Sequence, residues 1–289
     1  MSDHTPSLAD LRREIDVLDD QILDLLRRRA EAVQRVATTK RSTGEEGFLR
    51  PGREAQIIRH LIARHRGGLP AASVSRIWRE MIAALYPVQA RTVRVAVHAP
   101  NKSAARWDLA RDWYGSTTPL QLCTTATAVM RAISAQPAAI GVMAQPEDGE
   151  KESWWPQLAS RSPDTPRVIA RLPFVPNPRG SLAELDAYVI ANAAPEESGE
   201  DRSLLVLAMT ESAPSIARIS ALLAQVGLEG RVLAQHRRGE DGARVLLESD
   251  GFMAADDARL AALIAADPKL IDDAVVIGAY AVPLPADPA

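Results

Sequence analysis

The chain has 289 residues, 46% of them apolar and 25% charged, with a formal net charge of −3. That length is enough for two or three domains with real cores, and the charge balance gives no global pull toward nucleic acid or a membrane surface. The single cysteine, Cys123, excludes an internal disulfide and fits a reducing cytoplasm.

The N-terminus (Met-Ser-Asp-His-Thr-Pro-Ser) is polar and lacks an apolar signal core, and no apolar run reaches the length that spans a bilayer. The five histidines are scattered away from the cysteine, and no Gly-rich phosphate loop is present. The expected chemistry therefore uses no metal and no cofactor.

In chain order, residues 7–41 read as one long helix. Ser7 is its cap, and Leu8, Leu11, Ile15, Leu18, Ile22, Leu25, Leu26, Val33 and Val36 recur at three- and four-residue spacing. Such a helix is on the order of 50 Å long. A second helix runs from about Pro51 to Arg66 and stops at Gly67-Gly68, and a third runs from about Pro70 to Gln89. Helices so unequal cannot close a bundle alone; an intertwined dimer would close it.

After Ala90 the period changes. Strands are expected at 93–99, 120–124 and 139–144, with helices at 102–113 and 125–135 between them, which makes a parallel α/β layer. Residues 145–181 read as a loop region with one short helix, in which Trp154-Trp155 packs between lobes. Strands at 167–174 and 185–193 close that layer, and Pro195–Gly199 is the linker. The remainder reads βαββαβ, a ferredoxin-like domain. The expected domains are 1–90, 91–197 and 198–289.

The first ninety residues hold 15 Lys/Arg against 12 Asp/Glu, so the placement of the cations matters more than their number. Arg29 and Lys40 are eleven residues apart and project from one helix face about 16 Å apart, over an apolar floor of Val33, Val36 and Ala37. Arg12 and Arg29 are seventeen apart, which leaves them about 100° apart in rotation and about 25 Å apart along the axis. Arg12 is therefore either a surface residue or part of a partner subunit's pocket. Arg53 and Glu54 open the second helix, and Gln89 closes the third. Taken singly, each of these residues reads as solvated surface. Together they offer guanidinium forks for carboxylates, an ammonium, an amide donor and a carboxylate that can accept from a hydroxyl. Such a set suits a small, multiply carboxylated ligand, since buried cations are costly unless an anion meets them.

The pattern Leu11-Arg12-x-x-Ile15-Asp16-x-Leu18-Asp19, then Arg29, Lys40, Arg53-Glu54 and Gln89, resembles the all-helical class of chorismate mutase over residues 7–90. The resemblance implies an intertwined homodimer whose sites each take one arginine, Arg12, from the other subunit. It further implies that Arg29 and the partner's Arg12 bind the two carboxylates of chorismate. Lys40 would reach a carboxylate and the ether oxygen, Gln89 the ether oxygen, and Glu54 the ring hydroxyl, with Arg53 beside it. Two positions depart from the family: Leu49-Arg50-Pro51 lacks its acidic loop residue, and Leu85 stands where a small hydroxyl residue is common.

The whole chain resembles the bifunctional chorismate mutase–prephenate dehydratase, which ends in an ACT regulatory module. The dehydratase motifs are replaced, however, by Val95–Ser103, Gly141–Pro146 and Leu185–Tyr188. In the ACT-like part, Ser212-Ala213-Pro214-Ser215 and Gln235–Arg238 replace the phenylalanine-sensing turns. A mutase with a non-catalytic C-terminal extension is therefore expected. The alternatives are a working bifunctional enzyme and a non-catalytic sensor of an aromatic precursor.

Overall fold

The computed structural model describes residues 6–44, 47–89, 93–100, 104–136, 138–147, 153–176, 186–212, 214–237 and 242–285. Parts of the expected motifs, namely Asn101–Ser103, Leu185, Ala213 and Arg238, lie outside the described residues. The elements in chain order are four helices, α1 (Leu8–Thr43), α2 (Pro51–Arg64), α3 (Ala71–Ala83) and α4 (Tyr86–Gln89), then β1 (Arg94–His98), α5 (Ala104–Tyr114), β2 (Leu120–Cys123), α6 (Ala126–Ala135) and β3 (Ala139–Ala144). There follow β4 (Arg167–Leu172), β5 (Ala187–Ala191), β6 (Asp201–Met209), α7 (Ile216–Gln225), β7 (Gly230–Arg237), β8 (Ala243–Asp250), α8 (Ala258–Ala266) and β9 (Ile271–Ala281).

The chain divides into two compact units. One holds residues 1–48 and 85–91, and the other holds 49–84 and 92–289. In the first, α1 opens with a reciprocal cap: the Ser7 hydroxyl accepts from the Asp10 N–H, and the Asp10 carboxylate accepts from the Ser7 N–H. It closes at Gly44 in the left-handed region (φ 72°), whose N–H bonds the Lys40 carbonyl. Ala37 is the one buried residue of this helix. Its apolar stripe, Leu8, Leu11, Ile15, Leu18, Ile22 and Leu25, is 41–64% exposed. The third helix was expected to run on to Gln89, but α3 stops at Ala83. Pro87 has no N–H to donate, and its ring would meet the Ala83 carbonyl. The chain resumes as the short α4, whose buried Tyr86 meets Phe48 edge-on at 5.5 Å.

In the second unit, Pro51 starts α2, where a missing N–H costs nothing. Ala55, Ile58 and Ile62 form its buried face, and Val74, Ile82 and Ala83 that of α3. The strands form one nine-stranded sheet ordered β2-β1-β3-β5-β4-β9-β6-β8-β7. The layer expected to be parallel is parallel only at β1–β2 and β1–β3, because β5 runs antiparallel to both β3 and β4. Strand direction was hidden in the sequence: β5 is buried along its whole length, so its apolar run carries no alternation to read. The βαββαβ order of the last ninety residues appears as expected, as an antiparallel group ordered β9-β6-β8-β7. That group continues the sheet through the parallel neighbours β4 and β9.

Trp154 and Trp155 are fully buried in one cluster with Val129 and Ile133 of α6, Leu246 and Ile277. The Trp154 Nε1–H donates to the Ala144 carbonyl at 3.0 Å. Both rings are therefore part of the core packing. At the β4–β9 junction Gly278 lies at φ 154°, and a methyl group there would run into the Val168 backbone. Gly278→Ala is expected to cost about 3 kcal/mol and to lower the melting temperature by about 5–10 °C, measured by calorimetry on the full chain.

Candidate active site

Helix α1 is unbroken from Leu8 to Thr43, so the rotation between Arg12 and Arg29 read from the sequence holds in the structure. Arg12 is exposed, while Arg29, Lys40 and Gln89 are half-buried. These four share one compact unit, in which α1 packs against α4. The Lys40 ammonium donates to the Gly47 carbonyl at 3.0 Å. An ammonium has three donors, so that bond leaves two for a ligand. Arg53 and Glu54 lie on α2 in the other compact unit, Arg53 exposed and Glu54 buried.

Glu54 is not a bare carboxylate. Its Oε2 is ion-paired with Nη1 of Arg79 on α3, and Arg79 is 1% exposed. The Arg79 Nε–H donates to the Trp113 carbonyl at 2.8 Å, and the guanidinium carbon lies 3.8 Å from the centroid of the Trp113 ring. Beside it, the Glu80 carboxylate accepts from the Ser116 N–H (2.9 Å) and hydroxyl (2.6 Å). Sequence reading missed Arg79. The available signal was a cation four residues after Ser75 and three before Ile82, on the face of α3 that those residues bury.

A second polar cluster sits in the sheet. Glu248 of β8, 2% exposed, accepts from the Tyr280 hydroxyl and pairs with Arg202 (3.0 Å) and Arg231 (2.9 Å). Arg171 stands 3.8 Å away and also binds Asp186. Burial pushes the Glu248 carboxyl up, but the Tyr280 hydrogen bond and the two arginines together hold it below its ordinary value. Burial and the nearby carboxylate push the Tyr280 hydroxyl up to about 12. Together with Asp250, which pairs with Arg202 at 3.1 Å, these groups join β4, β6, β7, β8 and β9 with their charges compensated. They hold the carboxyl ionised and the phenol protonated, which is a structural arrangement and not that of an acid poised to give up a proton.

The arginines, ammonium and amide of the helices can bind carboxylates and stabilise a developing oxyanion without moving a proton. Residues 11–90 match the family model of chorismate mutase type II. Over 97 residues the chain is 35% identical to the bifunctional chorismate mutase/prephenate dehydratase of Pseudomonas aeruginosa, a match covering 32% of this chain and 26% of that protein. The matched segment thus spans about a quarter of that curated relative's length. Two solved structures are similar at low identity. One is described as a novel type of quorum quenching acylase (12% identity, TM-score 0.47, 65% of this chain and 95% of that one). The other is the prephenate dehydratase of Arthrobacter aurescens in complex with L-Phe (14% identity, TM-score 0.46, 68% and 94%). Likeness at that level carries no functional argument.

Among the described residues, no helix is long and apolar enough to cross a membrane.

Proposed function

We propose that this protein is a chorismate mutase, converting chorismate to prephenate in aromatic amino-acid biosynthesis. The observation that carries the reading is the family match over residues 11–90, within which Arg29 and Lys40 lie on one unbroken helix in the same compact unit as Gln89. In this rearrangement one C–O bond breaks as one C–C bond forms. No nucleophile, proton transfer or cofactor is needed. Catalysis means holding a compact reactive conformer and stabilising negative charge on the ether oxygen.

The proposed roles follow from the chemistry of each group. Arg29 and Arg12 of a second copy grip the carboxylates, Lys40 and Gln89 face the ether oxygen, and Glu54 accepts from the ring hydroxyl with Arg53 beside it. The working form is a homodimer, a proposal supported by the exposed apolar stripe of α1.

The proposed domains are the mutase region 1–90, a dehydratase-derived region 91–197 without dehydratase activity, and an ACT-like region 198–289 supported by its βαββαβ order. The setting is cytoplasmic, in line with the lone, buried Cys123. A second reading, a working bifunctional enzyme, is favoured by the names of the curated relatives. Incubation of the purified protein with chorismate separates these. Prephenate accumulating without phenylpyruvate is the expected result. Phenylpyruvate would establish the bifunctional reading, and unchanged chorismate would leave a non-catalytic sensor.

A further inference from the structure

Helices α2 and α3 are fastened to the α/β body of the same compact unit. The Arg59 guanidinium donates to the Ser198 hydroxyl (2.8 Å) and to the Glu200 (2.7 Å) and Val282 (2.9 Å) carbonyls. Gly52 lies so close to the linker that a Cβ there would sit 2.8 Å from the Glu197 carbonyl oxygen. In the same unit the Arg79 guanidinium meets Trp113 twice: its Nε–H donates to the Trp113 carbonyl at 2.8 Å, and its carbon lies 3.8 Å from the ring centroid. These contacts restrain Nη1, and through it the buried Glu54 carboxylate that pairs with it. A glutamate left to itself would sample several rotamers and lose that freedom on binding a ligand. Trp113 lies on α5, outside residues 11–90 that match the mutase family.

We infer that Arg79 is a positioning residue that holds Glu54 ready for the substrate's ring hydroxyl, and that Trp113 of the α/β body is the anchor that holds Arg79. The inference rests on the mutase reading and deepens it: the C-terminal body becomes a structural part of the substrate site. A carboxylate–hydroxyl bond is made in ground state and transition state alike, so its loss raises KM more than it lowers kcat.

The test is steady-state kinetics on the full chain with chorismate, comparing wild type with Arg79→Met, Arg79→Lys, Glu54→Gln, Trp113→Leu and the double variant Arg79→Met/Glu54→Gln. Arg79→Met is expected to raise KM by about 10- to 100-fold while kcat changes by less than about threefold, the scale of a hydrogen bond to a charged group. Arg79→Lys restores part of that loss, and Trp113→Leu reproduces it in smaller measure. The double variant is no worse than Glu54→Gln alone, because a positioning residue has nothing to position once the carboxylate is gone. A merely structural role for Arg79 would instead multiply the two losses, and that result overturns the inference. An unchanged KM in Arg79→Lys overturns it too, and that variant decides the matter if Arg79→Met does not fold. A wild-type protein inert toward chorismate removes the mutase reading and this inference with it; an active wild type whose Arg79 variants behave additively removes the inference alone.

Discussion

Replacing Ile22 with aspartate is expected to leave a folded but monomeric and inactive protein. Helix α1 has 36 residues and one buried side chain, while Leu8, Leu11, Ile15, Leu18, Ile22 and Leu25 stay 41–64% exposed. A continuous stripe of that kind marks an interaction surface rather than scattered surface apolars. Full burial of each such side chain gives about 1.5–3 kcal/mol, and a two-fold dimer buries every one of them twice. Ile22 sits near the middle of the helix, so the aspartate would place two unpaired charges at the centre of the interface at a cost of several kcal/mol each. The dissociation constant should rise by more than about a thousandfold. Sedimentation velocity at micromolar concentration reads the mass. A wild-type monomer, or a variant that stays dimeric, would sink the proposal. The proposed shared site has its own signature. Arg12→Ala and Arg29→Ala are each expected to be inactive, yet mixed and re-equilibrated they should recover about a quarter of wild-type activity, since half the dimers are mixed and each mixed dimer regains one complete site.

Lys40→Ala is expected to lower kcat by about 10²–10³-fold, or roughly 3–4 kcal/mol of transition-state stabilisation, with a much smaller change in KM. The ammonium is half-buried beside the Gly47 carbonyl; in the proposed role its attraction to the ether oxygen grows only as charge develops there. Stability should change little, because what the folded protein loses is one hydrogen bond at the end of a long helix. Stopped-time assays of chorismate loss, together with a thermal melt of the same sample, check both halves. A near-wild-type rate would exclude Lys40 from the chemistry and with it the arrangement proposed for Gln89.

The helices and most strands were legible because their periods are clean. Ser7 announces the start of α1, and the apolar spacing carries it to its end. What escaped the sequence has specific causes. Pro87 was visible, but the long apolar pattern around it concealed that α3 ends at Ala83. The continuity of the sheet escaped because β4 and β9 look like ordinary closing strands, and their pairing depends on Gly278, whose need for a bare backbone appears only when Val168 is beside it. In the candidate site, the five charged residues proposed and Gln89 stand out in the sequence by their spacing along the helices. Arg79 does not, because a buried cation is indistinguishable in sequence from a solvated one until its tryptophan and its carboxylate are known.

Gly52 has a consequence for how this chain can be taken apart. Its missing side chain is what lets the linker backbone at Glu196 and Glu197 lie directly on the start of α2. A gene cut after residue 90 would therefore not release a ready-made helical module. It would uncover a glycine where a helix wants a better former and strip the cover from Arg79. Each residue fitted to this join makes the two segments less able to stand as separate polypeptides.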